Sequence, residues 1–401
     1  MTSNSPDDPD IRSLRVRLTV TPEDVYGVEY SAEASRILCK DDVTKAHDFC
    51  RQLPGYAPTP LVDHQNLADE YQVGSVLIKN EGQRTPTHSF KTLGPPYALA
   101  NQLLVRIGPE QYSLSEVARG NLKPLVSEIT TCAATSGNHG RALAWAAMNF
   151  GCQCRIYMPE ATGAFREEQI QRFGATTIRV PGTFDDSVAR AVADTEKHDY
   201  ILAGNGAPPY SAVQRQIVHG YSVLGEELVS STPYDLSATH VFIPAGGGSL
   251  AAALTGRLWM EYGANRPKIV IVQPHTADSA YQSCLKAARV PAQGELSTLM
   301  DGLSVRILTE DAWAILQRGA FGFLTIGEEV ALATLRRSDR ECIAIGETGI
   351  TAVAGFIAAA SNPDIRDQLA LDDKSQVVLV ATEGITDPGV LKQLISEPER
   401  Y

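Results

Sequence analysis

The chain has 401 residues, 43% of them apolar, so it can bury a large core in more than one domain, which excludes a disordered or purely interaction-tail protein. Lys and Arg number 35 against 47 Asp and Glu, a net charge of -12, which argues against nucleic acid or an anionic membrane as the main partner and points to small-molecule chemistry. The cysteines at 39, 50, 132, 152, 154, 284 and 342 are odd in number and scattered, and Cys152-Gln153-Cys154 is too tight for half of a zinc ribbon, so free thiols and no metal site are expected.

Residues 1 to about 15 are rich in Asp, Ser and Pro and carry no signal-peptide core. No apolar run approaches the ~18 residues of a membrane span, so a soluble, cytoplasmic protein is expected. Two textures then alternate along the chain. Apolar runs of strand length lie at 73–80 ("VGSVLIKN"), 154–159 ("CRIYMP"), 176–180 ("TTIRV"), 239–245 ("THVFIPA"), 268–274 ("KIVIVQP") and 375–382 ("SQVVLVAT"). Helical patterns fall between them at 140–151, 165–175, 184–198, 249–263 and 310–320. Short apolar strands alternating with helices predict an α/β fold with parallel sheets flanked by helices. No repeat period or low-complexity linker separates modules, so two lobes of one interleaved chain are expected. The smaller, mobile lobe would be 95–205, the larger 1–94 and 206–401, with the active site in the interlobe cleft.

Three stretches carry the chemistry. In "THSFKTLG" (87–94), Lys91 follows Phe90, lies between Pro86 and the Pro95-Pro96 pair, and has no carboxylate within five residues on either side. At a lobe junction such an amine is expected to be desolvated and therefore nucleophilic; the competing reading is a snorkelling surface lysine. In "TSGNHGRALAWAA" (135–147), a small-residue turn feeds a helix. Thr135, Ser136 and Asn138 offer hydrogen-bond partners there, and the turn's N–H groups suit a carboxylate; alone, it could equally be a helix cap around a core histidine, His139. In "PAGGGSLAAALTG" (244–256), Gly246, Gly247 and Gly248 let the backbone approach an anion at the helix start formed by Ser249 and Leu250, which suits a phosphate. The Gly246-x-Gly248-x-x-Ala251 match to a dinucleotide fingerprint is weak, because Gln273 and Pro274 follow the next strand in place of a ribose-binding carboxylate. A Schiff-base lysine, a phosphate cup and a loop for a ring oxygen and a carboxylate are together what pyridoxal phosphate requires.

That order of motifs resembles fold-type II pyridoxal-phosphate enzymes, the tryptophan synthase β-like group. Within it, "PGYAPTPLV" (54–62), "GSVLIKNEGQR" (74–84), "SFKTLG" (89–94), "GNHGRALAWAA" (137–147), "GETGITAVAGF" (346–356) and "ATEGITDP" (381–388) resemble the diaminopropionate ammonia-lyase family. The resemblance implies a β-elimination on a 2,3-diaminopropionate-type or β-hydroxy amino acid, through an aminoacrylate, to a 2-oxo acid such as pyruvate plus ammonia. It also implies a homodimer, with a small amino acid and neither nucleic acid nor membrane as its partner. Lys91 would carry the cofactor and remove the α-proton, with Phe90 and Asn138 along the ring. Gly246, Gly247, Gly248, Ser249 and Leu250 would hold the phosphate, Thr382 the ring nitrogen, and Glu347 would join the cofactor site. Thr135, Ser136, Gly137 and His139 would meet the substrate, with Ser136 as the acid-base group on the second face.

Three departures from the family pattern bear on the substrate. The family usually has Asp where this chain has Ser136, a second Asp near Gly204, and Gly-Gly in place of Pro95-Pro96. A β-replacement synthase and an amino-acid racemase remain as alternatives, and a metabolite-binding protein without catalysis is the reading from a different class.

Overall fold

The computed structural model describes residues 15–204, 211–233, 235–236, 239–340 and 343–396. Its strands, in chain order, are β1 (Val16–Val20), β2 (Leu61–Asp63), β3 (Ser75–Asn80), β4 (Thr130–Ala134), β5 (Gln153–Pro159), β6 (Thr176–Val180), β7 (Ile201–Leu202), β8 (Thr239–Pro244), β9 (Lys268–Pro274), β10 (Gly322–Ile326) and β11 (Gln376–Ala381). The chain divides into two compact units. One comprises Met1–Ile37, Thr59–Gln83 and Gly225–Tyr401, the other Leu38–Pro58 and Arg84–Leu224.

The first unit is built on a seven-stranded sheet of order β1-β10-β9-β8-β11-β3-β2. Its five inner strands run parallel, and β1 and β2 pair antiparallel at the two edges. Every residue of β8 and β10 is buried, as are all but the first of β9 and β11, and β8, β9 and β11 accordingly read as apolar runs. Helix Thr351–Ser361 covers one face: all its residues from Thr351 to Ala360 are buried, and a Cβ on Gly355 would stand 2.7 Å from Cγ1 of Val272. Glycine there lets the helix backbone lie close on the sheet.

The second unit has a four-stranded, all-parallel sheet of order β6-β5-β4-β7. Its helix Phe184–His198 packs on Cys132, Ala134, Tyr157 and Leu202, and Tyr157 donates its hydroxyl proton to Oδ2 of Asp194 at 2.7 Å.

The α/β class and the six strands expected from apolar runs are present, each within two residues of its expected bounds. Other elements carry no such run. β4 ("TTCAA") is made of small residues, and Gly94-Pro95-Pro96, which reads as a turn, opens helix Gly94–Ile107. Prolines in a first turn forfeit no intrahelical hydrogen bond, and both are buried here. The six described cysteines are free. Among the described residues no helix is long and apolar enough to cross a membrane, and no cluster of His, Cys, Asp and Glu could hold a metal.

One charged group lies in the middle of the first unit. Lys79 on β3 has no exposed surface; its Nζ donates to Oε2 of Glu227 at 2.6 Å and to the Thr59 carbonyl at 2.7 Å. The same Oε2 accepts from the Thr59 N–H at 3.3 Å, while the Thr59 hydroxyl donates to Glu81. Removing one partner of a buried pair strands the other charge in low dielectric, which costs about 3–5 kcal/mol. Glu227→Ala is therefore expected to lose that much in urea unfolding, and Lys79→Met combined with Glu227→Leu much less. A loss below about 1 kcal/mol for the single variant would mean that the ammonium is rehydrated.

Candidate active site

In the second unit, the site residues gather around the Lys91 turn. Ser89 is fully buried and its Oγ accepts from the Lys91 N–H at 3.3 Å, capping a single 3-10 turn, Phe90–Thr92. The Thr92 hydroxyl donates to the Ser89 carbonyl at 3.0 Å and pairs with the hydroxyl of the buried Thr87. This network fixes the backbone on both sides of Lys91. The lysine is half-buried, and its Nζ lies 4.7 Å from the ring centroid of Phe90 and 5.4 Å from that of Tyr221, within the range of cation–π attraction.

The Thr135–Asn138 loop leaves the carboxyl end of β4. Thr135 Oγ1 accepts from the Gly137 N–H at 3.3 Å, and Gly137 starts helix Asn138–Phe150 with no side chain capping it. Ser136, Gly137, Asn138 and His139 are half-buried, and nothing in the chain stands within 4 Å of a Cβ placed on Gly137. Arg141, one turn into the helix, donates from Nη1 to the Thr87 carbonyl at 3.3 Å and so ties this loop to the lysine turn.

His139 Nε2 lies 2.6 Å from the Ala203 carbonyl at the end of β7. A carbonyl only accepts, so the ring carries its proton on Nε2 and presents Nδ1 as an acceptor. Burial, and then the positive charge of Lys91, lower its pKa to about 4. His139 is neutral at physiological pH. Beside it, a Cβ on Gly204 would crowd the Ala133 Cβ at 3.0 Å and stand in ordinary contact with Nε2 at 3.8 Å.

In the first unit, two adjacent parallel strands end at the other set of residues. β8 runs into Gly246-Gly247-Gly248, and helix Ser249–Tyr262 starts there with Gly248 at φ +88° and no side-chain cap. The turn is held by the Thr309 N–H, which donates to the Gly247 carbonyl at 3.0 Å. A Cβ on Gly246 would lie 3.1 Å from the Gly302 carbonyl oxygen, and one on Gly248 2.8 Å from the Ala312 Cβ. On Gly247 it would meet only Val305, at 3.8 Å. Gly246 and Gly248 are therefore required by packing, whereas Gly247 faces open space. Leu250 buries its side chain in the core and offers only its backbone N–H.

β11, next to β8, ends at Thr382, whose Oγ1 is buried and has no hydrogen-bond partner among the described residues. Glu383 accepts from the Thr348 N–H at 3.2 Å, and Thr348 Oγ1 accepts from the Gly302 N–H at 3.1 Å. Glu347, 4% exposed, sits in that same loop, which the contacts of Thr348 and Gly302 link to the glycine turn. Sequence reasoning missed Tyr221, Ala203, Gly302 and Thr348; Thr348 lies in a quoted stretch without a role assigned to it, and the other three enter only through tertiary packing.

The sequence matches the family described as pyridoxal-phosphate dependent enzyme over residues 52–383. It is 30% identical over 382 residues to diaminopropionate ammonia-lyase of Escherichia coli (strain K12), covering 92% of this chain and 94% of that protein. The fold is similar to the crystal structure of the Escherichia coli enzyme in complex with an aminoacrylate-PLP azomethine reaction intermediate, with a TM-score of 0.84 at 27% identity over 96% of this chain and 97% of that one. The same enzyme in complex with D-serine gives a TM-score of 0.83 at the same identity and coverage.

The glycine geometry separates binding from folding. Gly247→Val is expected to leave the thermal stability of the cofactor-free protein within about 0.5 kcal/mol while sharply weakening uptake of pyridoxal phosphate, followed by absorbance titration. Gly248→Ala is expected to cost about 1–3 kcal/mol without cofactor, from its left-handed backbone and the Ala312 contact. Equal damage to stability by both would make the whole turn a packing feature.

Proposed function

The chain belongs to the diaminopropionate ammonia-lyase family of pyridoxal-phosphate dependent enzymes, and we propose that it eliminates the β-substituent of a small amino acid, 2,3-diaminopropionate or a β-hydroxy amino acid, to give a 2-oxo acid such as pyruvate plus ammonia. Bound pyridoxal phosphate supplies an electron sink that makes the α-proton of an attached amino acid removable.

The residues present fit that cofactor. The observation that carries the fit is Thr382: a buried hydroxyl with no partner among the described residues, at the end of β11, suits the cofactor's ring nitrogen. The uncapped start of helix Ser249–Tyr262, with open space at Gly247, suits a phosphate.

In this reading Lys91 would hold the cofactor aldehyde through Nζ, and its free amine would be the base that takes the α-proton. Gly246, Gly247, Gly248, Ser249 and Leu250 bind the phosphate through backbone N–H groups. Phe90 and Asn138 would flank the ring, and Glu347 would join the cofactor site from the loop that Thr348 ties to Glu383. The start of helix Asn138–Phe150 would face the substrate carboxylate, with Thr135 and Ser136 beside it. Neutral His139 can accept a hydrogen bond there but adds no charge. Ser136 serves the second face of the substrate α-carbon, where a hydroxyl is a far weaker base than a carboxylate. We also propose a cytoplasmic homodimer, on the family resemblance; light scattering should then read twice the chain mass.

The purified protein is expected to be yellow, borohydride should fix the cofactor to Lys91 in peptide mapping, and Lys91→Ala should abolish turnover. Label on another lysine would sink the assignment. A screen of β-substituted amino acids, with and without added nucleophiles, that reads pyruvate, ammonia and any new amino acid together tests the reaction itself.

Elimination is expected to prefer L-isomers strongly. Ser136→Ala should keep L-elimination within about 10²-fold of wild type while removing activity on D-isomers, and Ser136→Asp should raise turnover of D-2,3-diaminopropionate. If D-activity survives Ser136→Ala unchanged, another residue serves the second face.

A further inference from the structure

Helix Ser211–Ser231 lies directly on the lysine turn. A Cβ on Gly220 would stand 2.5 Å from the Leu93 carbonyl oxygen and 2.7 Å from the Gly94 Cα, and one on Gly94 would stand 2.4 Å from Cε1 of Tyr221. Backbone meets backbone here, and Tyr221 is pressed onto the residues around Lys91 with 1% of its surface exposed. Its ring centroid is 4.7 Å from that of Phe90, the planes tilted by 57°, and both rings are within cation–π reach of the Lys91 Nζ.

The phenol itself is idle. Tyr221 Oη is buried with no hydrogen-bond partner among the described residues. Burial pushes the phenol pKa far above its ordinary value, so the hydroxyl stays protonated and is no general base. What the residue offers Lys91 is a ring face. A lysine side chain has four rotatable carbons, and once its amine is displaced it must be kept where it can take a proton and return. A carboxylate would lock the amine as an ion pair. An aromatic face attracts the ammonium without accepting its proton, and neutral His139 places no second positive charge beside it.

Resting on the reading that Lys91 is the cofactor lysine, we infer that Tyr221 is a positioning residue which, with Phe90, forms a two-walled aromatic seat for the Lys91 ammonium in the steps when it is not joined to the cofactor. No carboxylate or hydroxyl of Tyr221 is needed for this. The seat keeps the amine in place and favours the form that has just accepted the α-proton.

The test compares Tyr221→Phe with Tyr221→Leu in the full-length protein. In cofactor-free protein carrying ¹³C-lysine, the Lys91 Cε signal, assigned by its disappearance in Lys91→Ala, should be ring-current shifted in wild type and Tyr221→Phe and move toward the free-lysine position in Tyr221→Leu. In holoenzyme, Tyr221→Leu should lower kcat about tenfold with KM within about twofold, and Tyr221→Phe should restore kcat. An unmoved Lys91 signal together with unchanged kcat in Tyr221→Leu overturns the inference, as does a Tyr221→Phe that loses as much as Tyr221→Leu. If Tyr221→Leu does not fold, Phe90→Leu, on the half-exposed wall, takes its place and must shift the same signal. Should borohydride fail to label Lys91 in wild type, the cofactor reading falls, while the cofactor-free Lys91 shift still reports on the seat.

Discussion

Two absent methyl groups set where Lys91 can be. Gly94 and Gly220 allow helix Ser211–Ser231 to approach the lysine turn until backbone touches backbone, and a Cβ on either would overlap Tyr221 or Leu93 by more than an ångström of ordinary contact distance. With the helix in place, the Ser89 cap, the Thr87–Thr92 hydroxyl pair and Arg141 have fixed partners. The turn cannot relax outward, because each of its buried polar groups would then lose a hydrogen bond that no water replaces. The lysine is held by its surroundings more than by its own helix propensity.

A different constraint organises the first unit. Its inner strands are buried on both faces, so the only places where polar groups can meet a ligand are the strand ends. β8 and β11 are neighbours and parallel, and both finish in glycine-containing turns on the same side. Parallel sheets bind ligands at their carboxyl ends because the backbone N–H groups of the following helices converge there. Gly246, Gly302 and the Gly346–Gly349 loop pack through glycines, and that close packing brings Thr382 and the open space at Gly247 to one end of the sheet. At its other side Lys79 and Glu227 fasten β3 to the segment after Leu224 inside this unit; such a pair adds register more than net stability.

Charge is low in the Thr135–Asn138 loop and at Gly204, where the family resemblance implies carboxylates. Ser136 and Gly204 provide none, and His139 is kept neutral by burial and by the charge of Lys91, while the Ala203 carbonyl sets its tautomer. A β-ammonium would find hydrogen-bond acceptors from this loop but no anion. A hydroxyl or other uncharged β-substituent would lose nothing by that change, which is why the identity of the leaving group is the question this site poses most sharply.

The fold class was legible in the letters, as were the motifs that carry the proposed chemistry, since both rest on short-range rules: apolar runs long enough for buried strands, glycines where a chain must turn before a helix, and a lysine without a nearby carboxylate. The sequence also placed helix Phe184–His198 to the residue, because Thr183 and Asp186 form a capping box that is visible in four letters. The remaining features follow from contacts between segments far apart in the chain. β4 has no apolar run to announce it, for its small residues are strand-forming only between β5 and β7. Gly94-Pro95-Pro96 is a helix start because Tyr221, distant in sequence, covers it. Gly247 and Gly248 are indistinguishable as letters, and it is Ala312 and Leu308 that make one structural and leave the other open. Tyr221 had no local signal at all: a ring face acts on an amine through space, and the distance between them exists only once the chain has closed the long loop that joins them.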